Sequence, residues 1–198
     1  IKATLFEGLA RLNASAFHYD YKDYQASFFA GIVQSIRNLD ATVDGAEIEL
    51  VLSPTARLEF LFGASFLDAE TEDVGMPDGS IQNRGMPNSP DFTFNGLIRY
   101  SWPLQSGTLT FQADANYTDD FCFTVVCHHV EEEDSYWVGN GRITYSAEDE
   151  NWSVAAFVKN FTDEEYRAFV IDSSSIGFTQ SAFGAPRWAG IELRYSWQ

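Results

Sequence analysis

Apolar and polar residues alternate with a period of two along much of this sequence. Every odd position from 109 to 117 is apolar and every even position from 110 to 118 is polar, and the same alternation runs from 191 to 197. This period is the signature of a β-strand with one apolar and one wet face. The last of these strands ends on Trp197, which we expect in a barrel whose outer face meets lipid rather than in a soluble domain.

The alternation predicts a series of antiparallel strands joined by turns of two kinds. Tight turns fall near residues 7, 54, 105 and 149, and long connections near 30, 80, 127 and 174. In the second strand the phase is blurred around Leu12 to Ala16, which leaves room for a β-bulge; beyond it Phe17, Tyr19 and Tyr21 alternate with polar residues. The predicted strands cover about 1–6, 9–24, 38–52, 58–66, 92–102, 109–117, 137–145, 152–158 and 187–197.

Aromatic residues collect at the ends of the predicted strands. Trp102, Tyr145, Trp152 and Trp197 stand beside the short turns, whereas Tyr117, Tyr136, Trp137 and Trp188 stand toward the long connections. A strand from 137 to 145 covers ~27 Å at ~3.4 Å per residue. At a tilt of ~35–45° it projects to roughly 19–22 Å, near the ~25 Å apolar band of an outer-membrane barrel. We therefore predict two lipid-facing aromatic girdles, formed by Trp102, Tyr145, Trp152, Trp197, Tyr117, Trp137 and Trp188.

The composition narrows the choice of partner. The formal net charge is −17, so a nucleic-acid partner is excluded, because little in the chain would neutralise phosphates. Aromatic residues make up 16% of the chain, yet the mean hydropathy is −0.20. No window approaches the ~18 apolar residues of a membrane helix. The sequence has no initiating Met and no leader pattern, so we expect it to be the tail of a longer chain.

The fold that accounts for all of these features is an all-β, antiparallel, up-and-down transmembrane β-barrel. Short turns on one side, long loops on the other, aromatic girdles and a polar inward face belong together in that architecture. A soluble β-sandwich explains the alternation but explains neither the girdles nor the one-sided loop lengths.

Several motifs resemble the C-terminal part of TonB-dependent outer-membrane receptors, across essentially the whole chain. The stretch from Val158 to Tyr166 is similar to the family's N-L-(T/F)-D-x-x-Y motif, and Gly184 to Arg187 precede the last strand as in the family. Residues 17–25, Asn38 with 45–49, and the proline-bearing entry at 87–94 add support. One departure is Gln198, since the family usually ends on the aromatic residue itself.

The resemblance implies a plugged barrel of 22 strands, of which residues 1–198 would supply the last eight to nine. It also implies outer-membrane lipid as a partner, uptake of a scarce small-molecule ligand such as an iron chelate, and energy from the TonB complex through a plug outside this sequence. Asn160, Asp163, Tyr166, Pro186 and Arg187 are then expected to shape strand ends. An open piece would expose unpaired backbone edges at a cost of tens of kcal/mol in lipid, so we expect further strands to complete it.

The loop from 119 to 135 holds the remaining candidate chemistry. Cys122 and Cys127 are the two cysteines of the chain, and in an oxidising compartment we expect them to form a disulfide. The adjacent His128 and His129, followed by the acidic run 131–133, allow a metal cluster. A solvated acidic loop is the simpler interpretation, because neighbouring histidines in an extended segment point in opposite directions.

We expect no catalytic residue, metal site or cofactor. Mixed charges that line a hydrated lumen and contact a plug account for the charged residues on the wet faces, which are Glu47, Glu49, Asp114, Arg99, Arg142, Glu192 and Arg194.

The function that we predict is active transport across the outer membrane of a Gram-negative bacterium, with an iron chelate such as a ferric siderophore as the ligand. The alternatives are a passive porin-type channel and a soluble, secreted, β-rich glycan-binding module.

Overall fold

The structure, a computed structural model, describes residues 1–30, 33–149 and 151–197. The described residues form strands and connections, together with three short 3-10 turns at Phe6–Gly8, His129–Glu131 and Ser174–Ile176. In the described part of the chain, no helix is long and apolar enough to cross a membrane. The strands are β1 (Lys2–Leu5), β2 (Ala10–Ala30), β3 (Val33–Thr55), β4 (Leu58–Gly75), β5 (Ile81–Gly85), β6 (Phe92–Leu104), β7 (Gly107–Thr118), β8 (Phe121–Cys122), β9 (Glu132–Glu133), β10 (Tyr136–Ala147), β11 (Trp152–Lys159), β12 (Arg167–Ser173), β13 (Phe178–Phe183) and β14 (Trp188–Tyr195).

One antiparallel sheet contains most of these strands, in the order β1-β2-β3-β4-β6-β7-β10-β11-β14, with β5 paired to β4. Each strand of this path pairs with the one that precedes it along the path, as an up-and-down meander requires. The sheet is not closed, because β1 and β14 stand at its two edges. The predicted fold class, an all-β antiparallel piece of a larger barrel, is confirmed.

The register gives the sheet one apolar and one polar face. Residues directly opposite each other on paired strands present their side chains on the same side. Followed strand by strand, most of the apolar positions fall on one side of the sheet from β2 to β14. That apolar face carries Leu12, Ala14, Ile48, Leu50, Phe60, Phe62, Phe94, Ile98, Phe111, Ala113, Gly141, Ile143, Val154, Ala156, Ile191 and Leu193.

The irregular alternation around Leu12 to Ala16 in β2 is not caused by a β-bulge, which the sequence had allowed there. The pairing with β3 runs without interruption from Ala10 to Tyr21. Leu12 and Ala14 lie on the apolar face, but farther along the strand the odd positions become aromatic, and these lie on the polar face. The strand changes the face that carries its apolar residues, and the register does not change. The irregularity lies instead between Tyr21 and Tyr24.

β2, β3 and β4 extend far beyond their predicted ends. We expected a connection from about Tyr24 to Arg37, yet β2 has 21 residues and β3 has 23, with only residues 31 and 32 outside the described part. Likewise, β4 continues to Gly75 and pairs with β5, within the predicted loop from 70 to 90. Register shifts next to Asp23 and Asp73, both at positive φ, allow these extensions to continue past the regular ladder.

The other two long connections also contain strands. β8 and β9 form a small ladder within the loop from 119 to 135, and β12 and β13 form a separate hairpin within the connection from 162 to 186. A small buried cluster lies at this long-loop end of the sheet. It consists of Ala26, Phe28, Val74 and Val125, so β2, β4 and the cysteine-bearing loop pack together there.

Candidate functional site

Hydrogen-bonded charged and amide groups cross the polar face from strand to strand. The Arg99 guanidinium lies 2.9 Å from the Glu59 carboxylate and also donates to Gln112. The Arg142 guanidinium lies 3.1 Å from Glu192 across β11. These pairs are partly exposed, so each contributes at most about 1 kcal/mol. All seven charged residues that the sequence assigned to wet faces lie on this face by register: Glu47, Glu49, Arg99, Asp114, Arg142, Glu192 and Arg194.

Aromatic rings gather at both ends of the apolar face. At the short-turn end, the ring centroids of Tyr145 and Trp152 are 5.4 Å apart, and Trp102 is exposed. Tyr195 and Trp197 meet at 5.4 Å near the same edge. At the other end, Tyr117 and Trp137 are 5.0 Å apart, and further rings on β4 and β6 continue the row: Phe66, Phe92 and Phe94.

Trp188 lies on the opposite face from the one that we expected. It stands opposite Lys159 in the register, and its ring packs edge-on against Phe157 at 5.0 Å. Phe157 pairs with Arg142, which belongs to the polar face. Trp188 occupies an even position in a strand whose apolar residues are odd, and this phase separates it from the aromatic residues of the apolar face.

Asn160 is the hydrogen-bonding centre at the end of β11. It is 2% exposed and has a φ of 48°, a conformation that Asn adopts more readily than most residues. Its Nδ2 donates to the carbonyls of Glu164 and Ala185 at 2.8 and 3.1 Å, and its Oδ1 accepts from the Glu164 amide at 2.9 Å. The backbone amide of Asn160 donates to Asn140 at 3.0 Å. One side chain thus ties together the segments that precede β12 and β14.

The other motif residues meet at the same place. The Arg187 guanidinium lies 2.7 Å from Asp163, and the Gly184 amide donates to the Tyr166 carbonyl at 2.8 Å. The Tyr166 ring covers Gly184 so closely that any Cβ at that position would overlap it. Pro186 lies between Ala185, whose carbonyl Asn160 binds, and Arg187. The structure therefore brings together two motifs that are separated by 17 residues, and we call this assembly the strand-end clasp.

The loop from 119 to 135 is folded rather than freely solvated. Cys122 and Cys127 are joined in a disulfide, with Cα atoms 5.5 Å apart. Glu131 is 3% exposed and accepts hydrogen bonds from Thr124 Oγ1 at 2.8 Å and from the His128 amide at 2.9 Å. The interpretation of the acidic run as a solvated loop is therefore wrong for Glu131 and Glu133, because both carboxylates are buried as hydrogen-bond acceptors. Among the described residues, no group of three His, Cys, Asp or Glu side chains is placed to hold a metal ion.

Arg167 is a residue that no sequence pattern singled out. Its Nε lies 2.5 Å from Glu133, which is 6% exposed, and its backbone amide donates to the same carboxylate at 2.8 Å. The guanidinium also donates to the carbonyls of Val130 and Glu132. Arg167 thus ties the β12–β13 hairpin to the cysteine-bearing loop. Arg167 and Glu133 are 34 residues apart, so no local sequence pattern predicts their contact.

Four carboxylates lie close together where β6 begins. Burial and the nearby charges of Asp68, Asp119 and Asp120 raise the pKa of Asp91 above its ordinary value. Tyr117 donates to Asp119 at 3.0 Å, which links this acidic group to the aromatic row.

A comparison with protein families finds one match. The model described as "TonB dependent receptor-like, beta-barrel" matches residues 1–161, most of the chain. No curated protein sequence matches.

Solved structures with the same arrangement of strands include three bacterial receptors. The ferric yersiniabactin uptake receptor FyuA from Yersinia pestis is 17% identical, with a TM-score of 0.77 over 94% of this chain. The siderophore receptor PiuA and the ferric preacinetobactin receptor BauA, both from Acinetobacter baumannii, are each 19% identical over 97% of it, with TM-scores of 0.73 and 0.70. At these identities the likeness shows the fold alone. This chain covers 27%, 26% and 27% of the three chains, respectively.

Proposed function

This chain belongs to the TonB-dependent receptors, since the family match covers residues 1–161, and we propose that it forms the C-terminal barrel portion of an outer-membrane transporter. In this proposal residues 1–198 all belong to the barrel domain. Further strands and a plug, supplied by the rest of a longer protein, complete the pore. The open edges at β1 and β14 support this, because exposed sheet edges do not occur in the hydrocarbon region of a membrane.

The two-faced sheet is the observation that carries the proposal. The sheet is a single layer with most of its apolar positions on one side, and nothing in the described residues covers that side. Acyl chains would cover it, with the aromatic rows at the two lipid–water boundaries. The ion pairs of the opposite face would then line a hydrated interior.

We propose active uptake of an iron chelate, with energy delivered by the TonB complex through the plug. The support is the family, together with three neighbours that are described as receptors for siderophores or ferric siderophores. The proposed location is the outer membrane of a Gram-negative bacterium. No catalytic step is part of the proposal.

Iron uptake by cells with and without the intact gene tests this function. We expect deletion to slow growth under iron limitation and to abolish the uptake of at least one ⁵⁵Fe-labelled chelate, with recovery on complementation. An uncoupler should abolish the same uptake, because the transport is driven. Uptake that persists without a proton-motive force would indicate a passive channel instead.

Fractionation of the cells separates the remaining alternative. The proposed barrel should enter the outer-membrane fraction and show heat-dependent mobility on gels. A glycan-binding module would stay in solution without detergent. Unchanged growth and unchanged uptake of every chelate would overturn the iron assignment.

A further inference from the structure

The register shift in β2 turns the apolar residues of its extension toward the polar side of the sheet. Before the shift, even positions such as Ala14 lie on the apolar face. The shift adds one residue to β2, and beyond it Phe28 pairs with Ser35. Ser35 is an odd position of β3, like Glu47 of the polar face. Ala26 and Phe28 therefore lie on the same side of the sheet as the ion pairs.

The register shift in β4 has the same effect. Thr71 pairs with Arg84 before the shift, and Val74 pairs with Gln82 after it. Arg84 and Gln82 are two positions apart on β5, so Thr71 and Val74 share one side. That side is the polar one, because Thr71 also pairs with Ala41, an odd position of β3. An apolar patch thus lies on the polar side at the long-loop end.

The cysteine-bearing loop covers this patch. Val125 is 1% exposed and packs in one cluster with Ala26, Phe28 and Val74. The loop joins β7 to β10, whereas β4 and β2 stand two and four strands from β7 in the sheet. At about 4.8 Å for each step between strands, the loop reaches roughly 10 Å or more across the sheet. It therefore lies across the polar side instead of extending away from it.

Backbone hydrogen bonds and the disulfide hold the loop in this position. Arg84 donates to the Val126 carbonyl at 3.2 Å, and the Asn88 amide donates to the Cys122 carbonyl at 2.8 Å. These bonds attach the loop to β5 and to the connection that follows β5. The disulfide between Cys122 and Cys127 closes the segment that carries Val126.

Moving the loop away from the sheet would be unfavourable. It would expose Val74 and Val125 to water. Unless the β12–β13 hairpin moved with it, the buried Glu133 carboxylate would also lose Arg167. Loops that move in function belong instead to the parts of a protein with few buried contacts. The packing therefore indicates a fixed element and not a moving lid.

We propose that residues 122–133 form a fixed ledge inside the mouth of the barrel, which limits the size of the solutes that reach the interior. In a closed barrel the polar side faces the interior, so a loop that lies across this side narrows the opening at the long-loop end. The limit depends on size alone and requires no particular ligand chemistry. This inference rests on the proposed function, which places the polar side toward a hydrated interior.

Thiol labelling of the full-length receptor in intact cells tests the size limit. Tyr19→Cys places a thiol on the polar side, between the patch and the short turns, where Tyr19 is 50% exposed. The probes are N-ethylmaleimide and a maleimide with a long polyethylene glycol chain, and the unsubstituted receptor is the blank. The small probe should label the thiol readily and the large probe slowly. Val125→Asp should speed labelling by the large probe about tenfold or more, because a carboxylate in the apolar cluster favours release of the ledge.

Val130→Asp is the matched control. It makes the same substitution in the same loop, but Val130 is 39% exposed and lies outside the buried cluster. It should leave both labelling rates unchanged. Heat-dependent gel mobility should stay normal in both variants, because the spanning strands are untouched.

A pair of spin labels tests whether the ledge is fixed. Glu132→Cys places one label on the ledge, and Thr42→Cys places the other on β3. The distance between the labels in the ligand-free, full-length receptor should have one narrow distribution. Val125→Asp should broaden this distribution, and Val130→Asp should not. Two separate distances in the wild type would identify a moving lid and overturn the ledge.

The labelling outcomes also separate the ledge from the proposed function. Equal rates of labelling by the large probe in wild type and Val125→Asp overturn the size limit. So does a thiol at position 19 that N-ethylmaleimide cannot reach, because another part of the protein then closes the passage. Failure of the transport function would appear in a different measurement, as iron uptake that is unchanged on deletion of the gene.

Discussion

At the scale of single residues, Asn160 organises more of the structure than any charged pair on the polar face. It is buried, its side chain donates twice and accepts from the Glu164 amide, and its backbone has a positive φ. The ion pairs of the sheet are partly exposed, and each can be replaced at little cost. The motif resemblance singled out Asn160 for shaping a strand end, and the hydrogen bonds supply the physical reason.

Two substitutions separate the side-chain role of Asn160 from its backbone role. Asn160→Gly keeps the positive φ free of strain and loses the hydrogen bonds, which should destabilise the clasp by about 1–3 kcal/mol. Asn160→Ala loses the same bonds and adds about 1 kcal/mol of left-handed strain. Hydrogen exchange of residues 162–187 in the full-length receptor measures both. Equal exchange in wild type and Asn160→Ala would contradict the assignment.

Asp91 and Asp172 should respond to pH with opposite signs. Burial and neighbouring carboxylates raise the pKa of Asp91, so the stability that its protonated form provides is lost as the pH rises through that raised pKa. The Ser174 amide, 2.8 Å from the carboxylate, lowers the pKa of Asp172, so its contribution is present at neutral pH and is lost as the pH falls through that lowered pKa.

At pH 7 we therefore expect Asp91→Asn to slow local hydrogen exchange and Asp172→Asn to speed it. The Asp91→Asn difference should shrink as the pH falls below about 3.8, the ordinary Asp pKa, where the aspartate is protonated in both folded and unfolded chains. The same sign for both variants at pH 7 would show that one of the two causes is misassigned.

At the scale of elements, the strand segments next to the tight turns were predictable from the sequence. The extensions of β2 and β3 toward the long connection between them were not. β7 and β14 alternate without a break because one side of each is apolar throughout. In the extensions of β2 and β3, neither side of the strand is apolar throughout. Residues 24–30 and 33–40 therefore have no regular alternation, although they are strands. The one-residue shift near Asp23 further hides the period. Their pairing depends on partners in the opposite strand, which no local window contains.

The cysteine-bearing loop gives an element-scale prediction. Its disulfide closes a short ring, which should stabilise the loop by about 2 kcal/mol through the unfolded state. Without reductant, an alkylating reagent should leave Cys122 and Cys127 unlabelled; after reduction both should react. Cys122→Ser with Cys127→Ser should speed hydrogen exchange around Val125, which packs in the buried cluster. Labelling of both thiols before reduction would show that the loop is held by Arg167 and Glu131 alone.

At the scale of the whole molecule, the sheet is a single layer and not a domain with its own hydrophobic core. The buried apolar cluster at the long-loop end joins four side chains, while the large apolar residues of the main sheet are mostly partly buried or exposed. The sequence revealed the two faces because alternation is local. It could not reveal that the Phe17 to Tyr21 rings share a face with the ion pairs, since that depends on the register with β3.

Nitroxide labels on β7 and β10 test which face of this sheet meets lipid in the complete receptor. Labels at 111, 113 and 143 lie on the apolar face, and labels at 112, 114 and 142 on the polar face, at matched heights in the same two strands. In bilayers the first set should be relaxed by oxygen, which concentrates in hydrocarbon. The second set should instead respond to a water-soluble nickel complex or be shielded by the plug. If both sets respond alike, or if neither reagent reaches the first set because a second protein layer covers it, then the apolar face does not meet lipid and the transporter proposal loses its physical basis.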